Sequence, residues 1–215
     1  NVSVAGLITS STTSGGTIAR NKIYNITNAT TGTTNSTFGC YPNGGNWTFA
    51  NNMISLMNNQ TVQAFGIYDN GAAGARKYYY NSIYIGGTHG GTHMSAALQY
   101  NAVSGVTADI KNNILVNERN SSGKNYAFAN TSTTFTGMTM NYNVLNTINI
   151  NLVAIFNTTD ESFADWKIDS NLDGNSLSGV VVPFANTAIA DLHITTTCND
   201  LESTGTPVTV TTDYD

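Results

Sequence analysis

An asparagine-x-apolar triplet recurs along this chain about every 30 residues, and this period constrains the fold more than any other feature. Clear copies begin at Asn21, Asn52, Asn81, Asn112 and Asn199, and weaker copies are Tyr142-Asn143-Val144 and Ser170-Asn171-Leu172. The steps between successive apolar positions range from 28 to 31 residues. A sustained period of this length is typical of a repeat architecture, in which each repeat packs only against its neighbours.

A second apolar series shares the period and runs in phase with the triplets. Its members are mostly preceded by glycine or alanine, and they are Leu7, Cys40, Ile67, Leu98, Phe128, Ile155 and Phe184. Around the triplets the aliphatic residues alternate, as in Ile83-Tyr84-Ile85, which is the two-residue pattern of β-strands. A β-sandwich would also suit such strands, but it predicts no markers at a fixed spacing.

We therefore predict an all-β chain with one domain over residues 1–215, folded as a parallel β-helix of about seven coils of about 30 residues. Equivalent residues would stack about 4.8 Å apart along the axis. The five clear triplet asparagines are predicted to form structural corners. Asparagine suits a corner because it tolerates left-handed backbone, and because its amide can bond to its counterpart in the next coil.

Residues 78–130 resemble a large class of secreted bacterial repeat proteins. They read YYYNSIYIGGTHGGTHMSAALQYNAVSGVTADIKNNILVNERNSSGKNYAFAN, and the shared phrases are of the form NSxYIGGT and DIxNNIxVN. The resemblance implies a right-handed parallel β-helix of the pectin-lyase-like type. It also implies a secreted or cell-surface location, and a chain that is a section or processed unit of a longer surface protein. Such motifs specify fold better than activity.

Charge is sparse in this chain. Only 10% of the residues are charged, and the net charge of −5 includes eight lysines and arginines. Nucleic acid is therefore not an expected partner, because proteins bind a phosphate backbone through clustered positive charge. Membrane insertion is not expected either, since no apolar run approaches the roughly 18 residues of a spanning helix.

Two stripes of aromatic residues are predicted on the outer surface. One contains Tyr41, Tyr68 and Phe156 beside the second series, and the other contains Tyr24 and Tyr84 beside the triplets. Exposed rings can stack on sugars or pack against another protein, so these five are the predicted ligand-binding residues and polysaccharide is a candidate partner. The alternative is that loops fold over the rings.

A candidate calcium site lies near the end of the chain. Asp169, Asn171 and Asp173 match the opening of a calcium loop, in which oxygen ligands alternate along the sequence. The twelfth position is Val180, where such a loop has a bidentate glutamate. Calcium is the one cofactor that the sequence suggests, and a solvated turn at a coil corner is the alternative.

The histidines and cysteines give weaker indications. His89 and His93 lie in the duplicated stretch GGTHGGTH, where a weak metal site competes with a plain variable loop. Cys40 belongs to the interior series and Cys198 lies five coils further along. A disulfide between them is not expected, because it needs Cα atoms within about 7 Å.

The leading functional hypothesis is a non-catalytic, structural or adhesive β-helix of a bacterial surface or extracellular fibre. Neither end of the sequence shows an amphipathic helix that could cover a terminal coil. The expected partners are therefore flanking coils of a longer chain, or copies stacked end to end. A carbohydrate-binding module is one alternative. Another is a polysaccharide lyase or hydrolase, for which the dense acidic group is Asp165, Asp169 and Asp173.

Overall fold

Three parallel β-sheets form the walls of a β-solenoid. The computed structural model describes residues 2–11, 13–30, 32, 34–57, 61–101, 103–195, 200–201 and 203–214. Successive strands enter the three sheets in turn, so the backbone winds around a common axis. This confirms the predicted all-β fold of stacked parallel coils, whereas the right-handed sense stays a prediction.

The elements follow one another in a regular order. They are β1 (Ser3–Ser10), β2 (Gly15–Ala19), β3 (Lys22–Ile23), β4 (Ser36–Asn43), β5 (Asn46–Ala50), β6 (Met53–Met57), β7 (Gln63–Asp69), β8 (Gly74–Tyr79), β9 (Ser82–Gly86), β10 (Thr88–His89), β11 (Ser95–Tyr100), β12 (Val106–Lys111), β13 (Ile114–Asn117), β14 (Asn120–Ser121), β15 (Asn125–Asn130), β16 (Met138–Asn141), β17 (Val144–Thr147), β18 (Ala154–Phe156), β19 (Thr159–Glu161), α1 (Phe163–Ser170), β20 (Phe184–Asn186), a 3-10 turn (Thr187–Ile189) and β21 (Asp191–Ile194).

Five successive segments each supply one strand to all three sheets. Sheet A has the order β1-β4-β7-β11-β15-β18-β19, sheet B the order β2-β5-β8-β12-β16, and sheet C the order β3-β6-β9-β13-β17. Neighbours in these sheets are parallel, except that β19 turns back against β18. The predicted count of seven coils is not confirmed, because the sixth pass leaves sheet A and enters α1, and Asn199 lies outside the described residues.

The glycines that precede members of the second series let sheets A and C approach each other closely. A Cβ atom on Gly39 would lie 2.4 Å from Cγ2 of Ile54, and one on Gly66 would lie 2.2 Å from Cγ2 of Ile83. Only a residue without a side chain fits beneath these isoleucines. The two periodic markers of the sequence are therefore in phase because they touch across the interior.

The interior row of sheet A follows the predicted series through its first five members. Leu7, Cys40, Ile67, Leu98 and Phe128 are successive register partners. In the sixth pass Ala154 lies opposite Phe128, so the predicted Ile155 is one position late. The predicted Phe184 lies in β20, which pairs with β21 and not with sheet A. Cys40 is a buried free thiol, and Cys198 lies outside the described residues.

The interior row of sheet C departs from the predicted triplets halfway along. Its members are Ile23, Ile54, Ile83, Leu115 and Leu145. The predicted Ile114 and Val144 are each one position early. Leu115 and Leu145 are fully buried, whereas Ile114 is only half-buried. The Asn112-Asn113 pair hides this shift, because either asparagine can begin the triplet.

Each turn from sheet B to sheet C uses two adjacent residues with different tasks. The first has left-handed backbone, and this group comprises Arg20, Asn51, Tyr80, Asn112 and Tyr142, with φ between 52° and 59°. The second places an amide inside, and this group comprises Asn21, Asn52, Asn81, Asn113 and Asn143. The prediction gives both tasks to one asparagine per coil, whereas in the fourth coil Asn112 forms the left-handed corner and Asn113 occupies the ladder.

The inward amides form a continuous ladder along the axis. Each Nδ2 donates to Oδ1 of the next coil over 2.8 to 3.0 Å, from Asn21 through to Asn143. Asn81 is typical: its Nδ2 also donates to the Phe49 carbonyl, and its Oδ1 also accepts from the backbone N–H of Asn52. The last amide, Asn143, donates to the Asp173 carboxylate at 3.2 Å. The buried polar groups of this corner thus satisfy one another.

A short helix covers the end of the solenoid that follows the fifth coil. Helix α1 begins after Ser162, whose side chain accepts from the Asp165 N–H, and ends at Asn171 in left-handed conformation. Trp166 is fully buried, and its ring lies 5.3 Å from that of Phe128. Its Nε1 donates to Asp173 at 2.8 Å. The expectation that neither end has a helical cap is therefore wrong for this end.

The chain then runs back across the outer side of sheet C. Asn146 of the fifth coil accepts from the Gly179 N–H at 2.8 Å. Phe184 packs edge-on against Tyr84 of the third coil, with ring centroids 6.0 Å apart. The carbonyl of Thr187 accepts a hydrogen bond from Ser55 of the second coil. Part of the outer face of sheet C is consequently covered by the chain itself.

Replacing Asn81 by alanine is expected to lower the free energy of unfolding by about 3 kcal/mol, because it leaves several buried donors and acceptors without partners. Urea unfolding followed by circular dichroism would measure this. The exposed Asn70 is a matched control, since its amide accepts one long bond from Asn101 at 3.3 Å. Asn70→Ala should cost less than about 0.5 kcal/mol. Equal losses in the two variants would show that the ladder is not a principal source of stability.

Candidate functional site

The outer face of sheet A carries a cluster of four aromatic rings. Its members, Phe38, Tyr41, Phe65 and Tyr68, come from strands β4 and β7, which are parallel neighbours. Parallel register places equivalent residues side by side, so one aromatic pair per strand gives a compact group. We call this group the aromatic cluster.

The rings of the aromatic cluster contact one another directly. The centroid of Phe38 lies 5.1 Å from that of Tyr41 and 5.0 Å from that of Tyr68. Tyr41 and Tyr68 are 5.5 Å apart at an interplanar angle of 68°. Phe65 and Phe38 are buried, whereas the two tyrosines are half-buried.

A groove of about 370 Å³ runs beside the aromatic cluster. Its lining combines three of the rings with hydroxyl and amide groups, and consists of Ser3, Ala5, Ile8, Thr34, Ser36, Phe38, Tyr41, Gln63, Tyr68 and Asn70. Ser36 donates to the Gln63 side chain at 3.1 Å, which fixes both at the floor. Burial and the neighbouring Tyr41 raise the pKa of Tyr68, so its phenol stays neutral at physiological pH. The groove thus offers apolar faces and neutral hydrogen-bonding groups.

Of the predicted ligand-binding residues, the structure brings Tyr41 and Tyr68 together and separates the other three. Phe156 stacks on Phe135 at 4.0 Å at the capped end, where it packs against the core. Tyr84 is the register partner of Ser55 on sheet C, whereas Tyr24 directly follows β3.

Tyr84 is occupied by the chain itself. Its hydroxyl donates to Glu118 at 3.1 Å, and its ring packs against Phe184. Burial, together with Glu118, raises the pKa of Tyr84 to about 12. The stripe that was predicted on sheet C is therefore covered in part.

Sequence reasoning missed Phe38 and Phe65. Strict alternation places Phe38 inside, two positions before the interior Cys40. In strands β4, β7, β11 and β15, two successive residues face inward, a small one and then a larger one, as in Gly66 and Ile67. This reverses the face of every residue that precedes the pair, so Phe38 and Phe65 lie outside.

The candidate calcium ligands lie in different surroundings. Asp169 is exposed on α1, and Asn171 ends that helix. Asp173 is fully buried, and its carboxylate accepts hydrogen bonds from Trp166, Ser176 and Asn143. Burial raises the pKa of Asp173, although these donors act in the opposite direction. Among the described residues no group of three or more His, Cys, Asp or Glu side chains is arranged to hold a metal, and calcium binding stays a prediction.

The two histidines of the duplicated GGTH stretch lie face to face. Their ring centroids are 5.8 Å apart at an angle of 19°, so the in-plane lone pairs do not converge on one metal position. Nδ1 of the buried His89 accepts from the Gly91 N–H at 2.9 Å, which places the proton of the neutral ring on Nε2. The pair is therefore better described as packing within the loop than as a metal site.

Comparison with known proteins adds no family to this description. No protein-family model, no curated protein and no solved structure matches the chain. Within the described residues, no helix has the length and apolar character needed to cross a membrane.

The stability of the fold should fall on mild acidification because of His89. Burial lowers its pKa below 6.5, and the positive charges of Arg119 and His93 add to the effect. Below pH 6.5 the unfolded chain therefore binds a proton more readily than the folded chain, which favours unfolding. His89→Asn keeps an acceptor for Gly91 and should lose less stability than the wild type between pH 7.5 and 5.5 (about one unit either side of the ordinary histidine pKa).

Urea midpoints at the two pH values provide this measurement. His93→Asn is the matched control. It should retain most of the wild-type loss of stability on acidification, since His93 lowers the pKa of His89 less than burial and Arg119 do. If His89→Asn and the wild type lose the same stability, the acid sensitivity originates elsewhere in the molecule.

Proposed function

We propose that this chain is a non-catalytic, adhesive β-helix of a secreted or cell-surface protein, and that it binds a neutral polysaccharide in the groove of sheet A. The observation that carries the proposal is the aromatic cluster, in which Phe38, Tyr41 and Tyr68 lie within 5.5 Å of one another beside a groove of about 370 Å³. The resemblance of residues 78–130 to secreted bacterial β-helix proteins of the pectin-lyase-like type supports the proposed secreted or cell-surface location.

The chemistry of the groove suits a sugar polymer. Aromatic rings pack against the apolar C–H faces of sugars, while hydroxyl and amide groups such as Ser36, Gln63 and Asn70 exchange hydrogen bonds with sugar hydroxyls. A cavity of this size is within the usual range for small-ligand sites. The lining carries no formal charge among its described residues, which favours a neutral polymer over a uronic acid polymer.

Binding is favoured over cleavage because of where the acids lie. Glycosidases place two carboxylates on either side of the scissile bond, about 5 to 9.5 Å apart. Asp165 and Asp169 project from α1 at the capped end, whereas the groove is built from strands β1, β4 and β7 of the first three coils. The lyase or hydrolase alternative would therefore need a different surface of the molecule.

Titration calorimetry with the strongest neutral ligand from a glycan array tests this proposal. Tyr68→Ala should weaken binding about tenfold, which corresponds to about 1.4 kcal/mol. Tyr84→Ala is the matched control, because this tyrosine lies on sheet C, and it should bind like the wild type.

Two results would contradict the proposal. One is unchanged affinity in a Tyr41→Ala, Tyr68→Ala double variant that unfolds at the wild-type urea concentration. The other is release of unsaturated or reducing sugar products during incubation with the bound polymer, which would indicate catalysis.

A structural role through association is a second candidate, and the first coil favours it. Strands β1, β2 and β3 are the terminal strands of sheets A, B and C. Their interior residues Leu7 and Ile18 are half-buried, whereas their counterparts Cys40 and Phe49 are fully buried. An edge of this kind accepts a flanking coil or a second copy. Because α1 covers the opposite end, copies would join edge to edge as pairs and not as fibres.

Sedimentation equilibrium tests this association. The wild type should show a concentration-dependent monomer–dimer equilibrium. Leu7→Lys should abolish it, since the charge lies on the exposed end of the core. Ile8→Lys is the matched control: Ile8 is 61% exposed on the outer face of β1, so dimerisation should persist. Open-ended fibres, or a wild-type monomer at every concentration, would contradict the paired arrangement.

A further inference from the structure

Residues 203–214 lie along the corner between sheets B and C as an irregular segment, with left-handed backbone at Ser203 and a bend at Thr209. The side-chain amide of Asn112 makes two hydrogen bonds to the backbone of Thr206. The Thr206 N–H donates to Asn112 Oδ1 at 2.9 Å, and the Thr206 carbonyl accepts from Asn112 Nδ2 at 2.8 Å. The same carbonyl accepts from the Tyr80 hydroxyl at 3.3 Å. Further along, the Thr212 carbonyl accepts from Nδ2 of Asn51. Three successive coils thus contribute to one binding surface.

The three side chains that hold this segment come from the left-handed corner positions. Asn51, Tyr80 and Asn112 have φ values of 52°, 55° and 59°, and each precedes an asparagine of the interior ladder. Since the ladder asparagine turns inward, the residue before it presents its side chain outward. Stacking of the coils repeats this arrangement about every 4.8 Å. We call Asn51, Tyr80 and Asn112 the corner row.

The corner row recognises backbone and not a particular side chain. The amide of Asn112 offers one donor and one acceptor to Thr206, as a neighbouring β-strand would. Exposure of the segment alternates: Thr204, Thr206, Val208 and Val210 are half-buried, and the residues between them are exposed. The surface therefore suits a segment with β-branched residues at every second position, as over residues 204–210.

The segment is held loosely beside the corner row. A cavity of about 230 Å³ remains between Asn51, Tyr80 and the stretch 210–213. A second cavity of about 270 Å³ separates Tyr214 from Met53 and Ile114. Loosely packed surface segments open at low free-energy cost.

We propose that the corner row is a docking track for a polypeptide segment, and that residues 203–214 of a second copy occupy it in exchange for the chain's own segment. The exchanged contacts are identical to those within one chain, which makes such swapping a low-cost route to association. The chain's own segment competes at a millimolar effective concentration, so exchange is favoured when that segment is weakened or copies are crowded. This track is separate from the groove on sheet A.

The test uses a fluorescent peptide with the sequence STGTPVTVTTDY, residues 203–214, and full-length protein. Val210→Asp in the protein weakens its own segment on the side that faces the corner row, and leaves the track intact. The peptide should bind this variant at least tenfold more tightly than the wild type in an anisotropy titration. Thr209→Asp is the matched control, because Thr209 is exposed, and it should bind the peptide like the wild type.

A second variant identifies the binding surface. Adding Asn112→Ala to Val210→Asp should lower peptide affinity at least tenfold, because it removes the paired donor and acceptor. Urea midpoints equal to that of the wild type would show that the coils remain folded in both variants. Equal peptide binding by Val210→Asp and the wild type, including no detectable binding by either, would overturn the proposal.

Discussion

The amide ladder at the corner between sheets B and C is the interaction on which the rest of the structure depends. Each asparagine joins its own coil to the next through its Nδ2 and Oδ1 atoms, so the spacing and register of neighbouring coils are set at one edge. From that edge Ile23, Ile54 and Ile83 of the first three coils reach across to Gly6, Gly39 and Gly66 of sheet A. A sequence with few charges can build such a column because amides satisfy one another without a counter-ion.

The corner between sheets A and B is held differently. In the third coil, Arg76 pairs with Asp69 inside the solenoid, and its guanidinium donates to the carbonyls of Gly71, Ala73 and Gly45. Burial raises the pKa of Asp69, although Arg76 and the Tyr78 hydroxyl lower it. This ion pair occurs in one coil and holds the loop there. The repeating corner therefore defines the architecture, and the non-repeating corners give each coil its own surface.

The repeat could be predicted well from the sequence. The facing of individual side chains, the capping helix and the final segment could not, and the physical reason differs for each. Parallel stacking turns a fixed chain interval into a spatial row, so Tyr41 and Tyr68 could be found by alignment alone. Phe38 and Phe65 could not, because two inward residues in succession break the alternation. Helix α1 has eight residues and hardly any apolar face, so no periodicity marks it. Contacts of the final segment with Asn112 and Asn51 span 94 and 161 residues, and no local pattern records them.

The helix over the last coil gives the molecule a direction. In a solenoid without such a cover, both terminal coils offer their edges to further copies, and the length of an assembly depends on concentration. Here Trp166 packs against Phe128 at one end, while β1, β2 and β3 are the outermost strands of the described sheets at the other. In the proposed association, two copies that join at this end leave an α1 helix at each outer end, so the assembly closes at two copies.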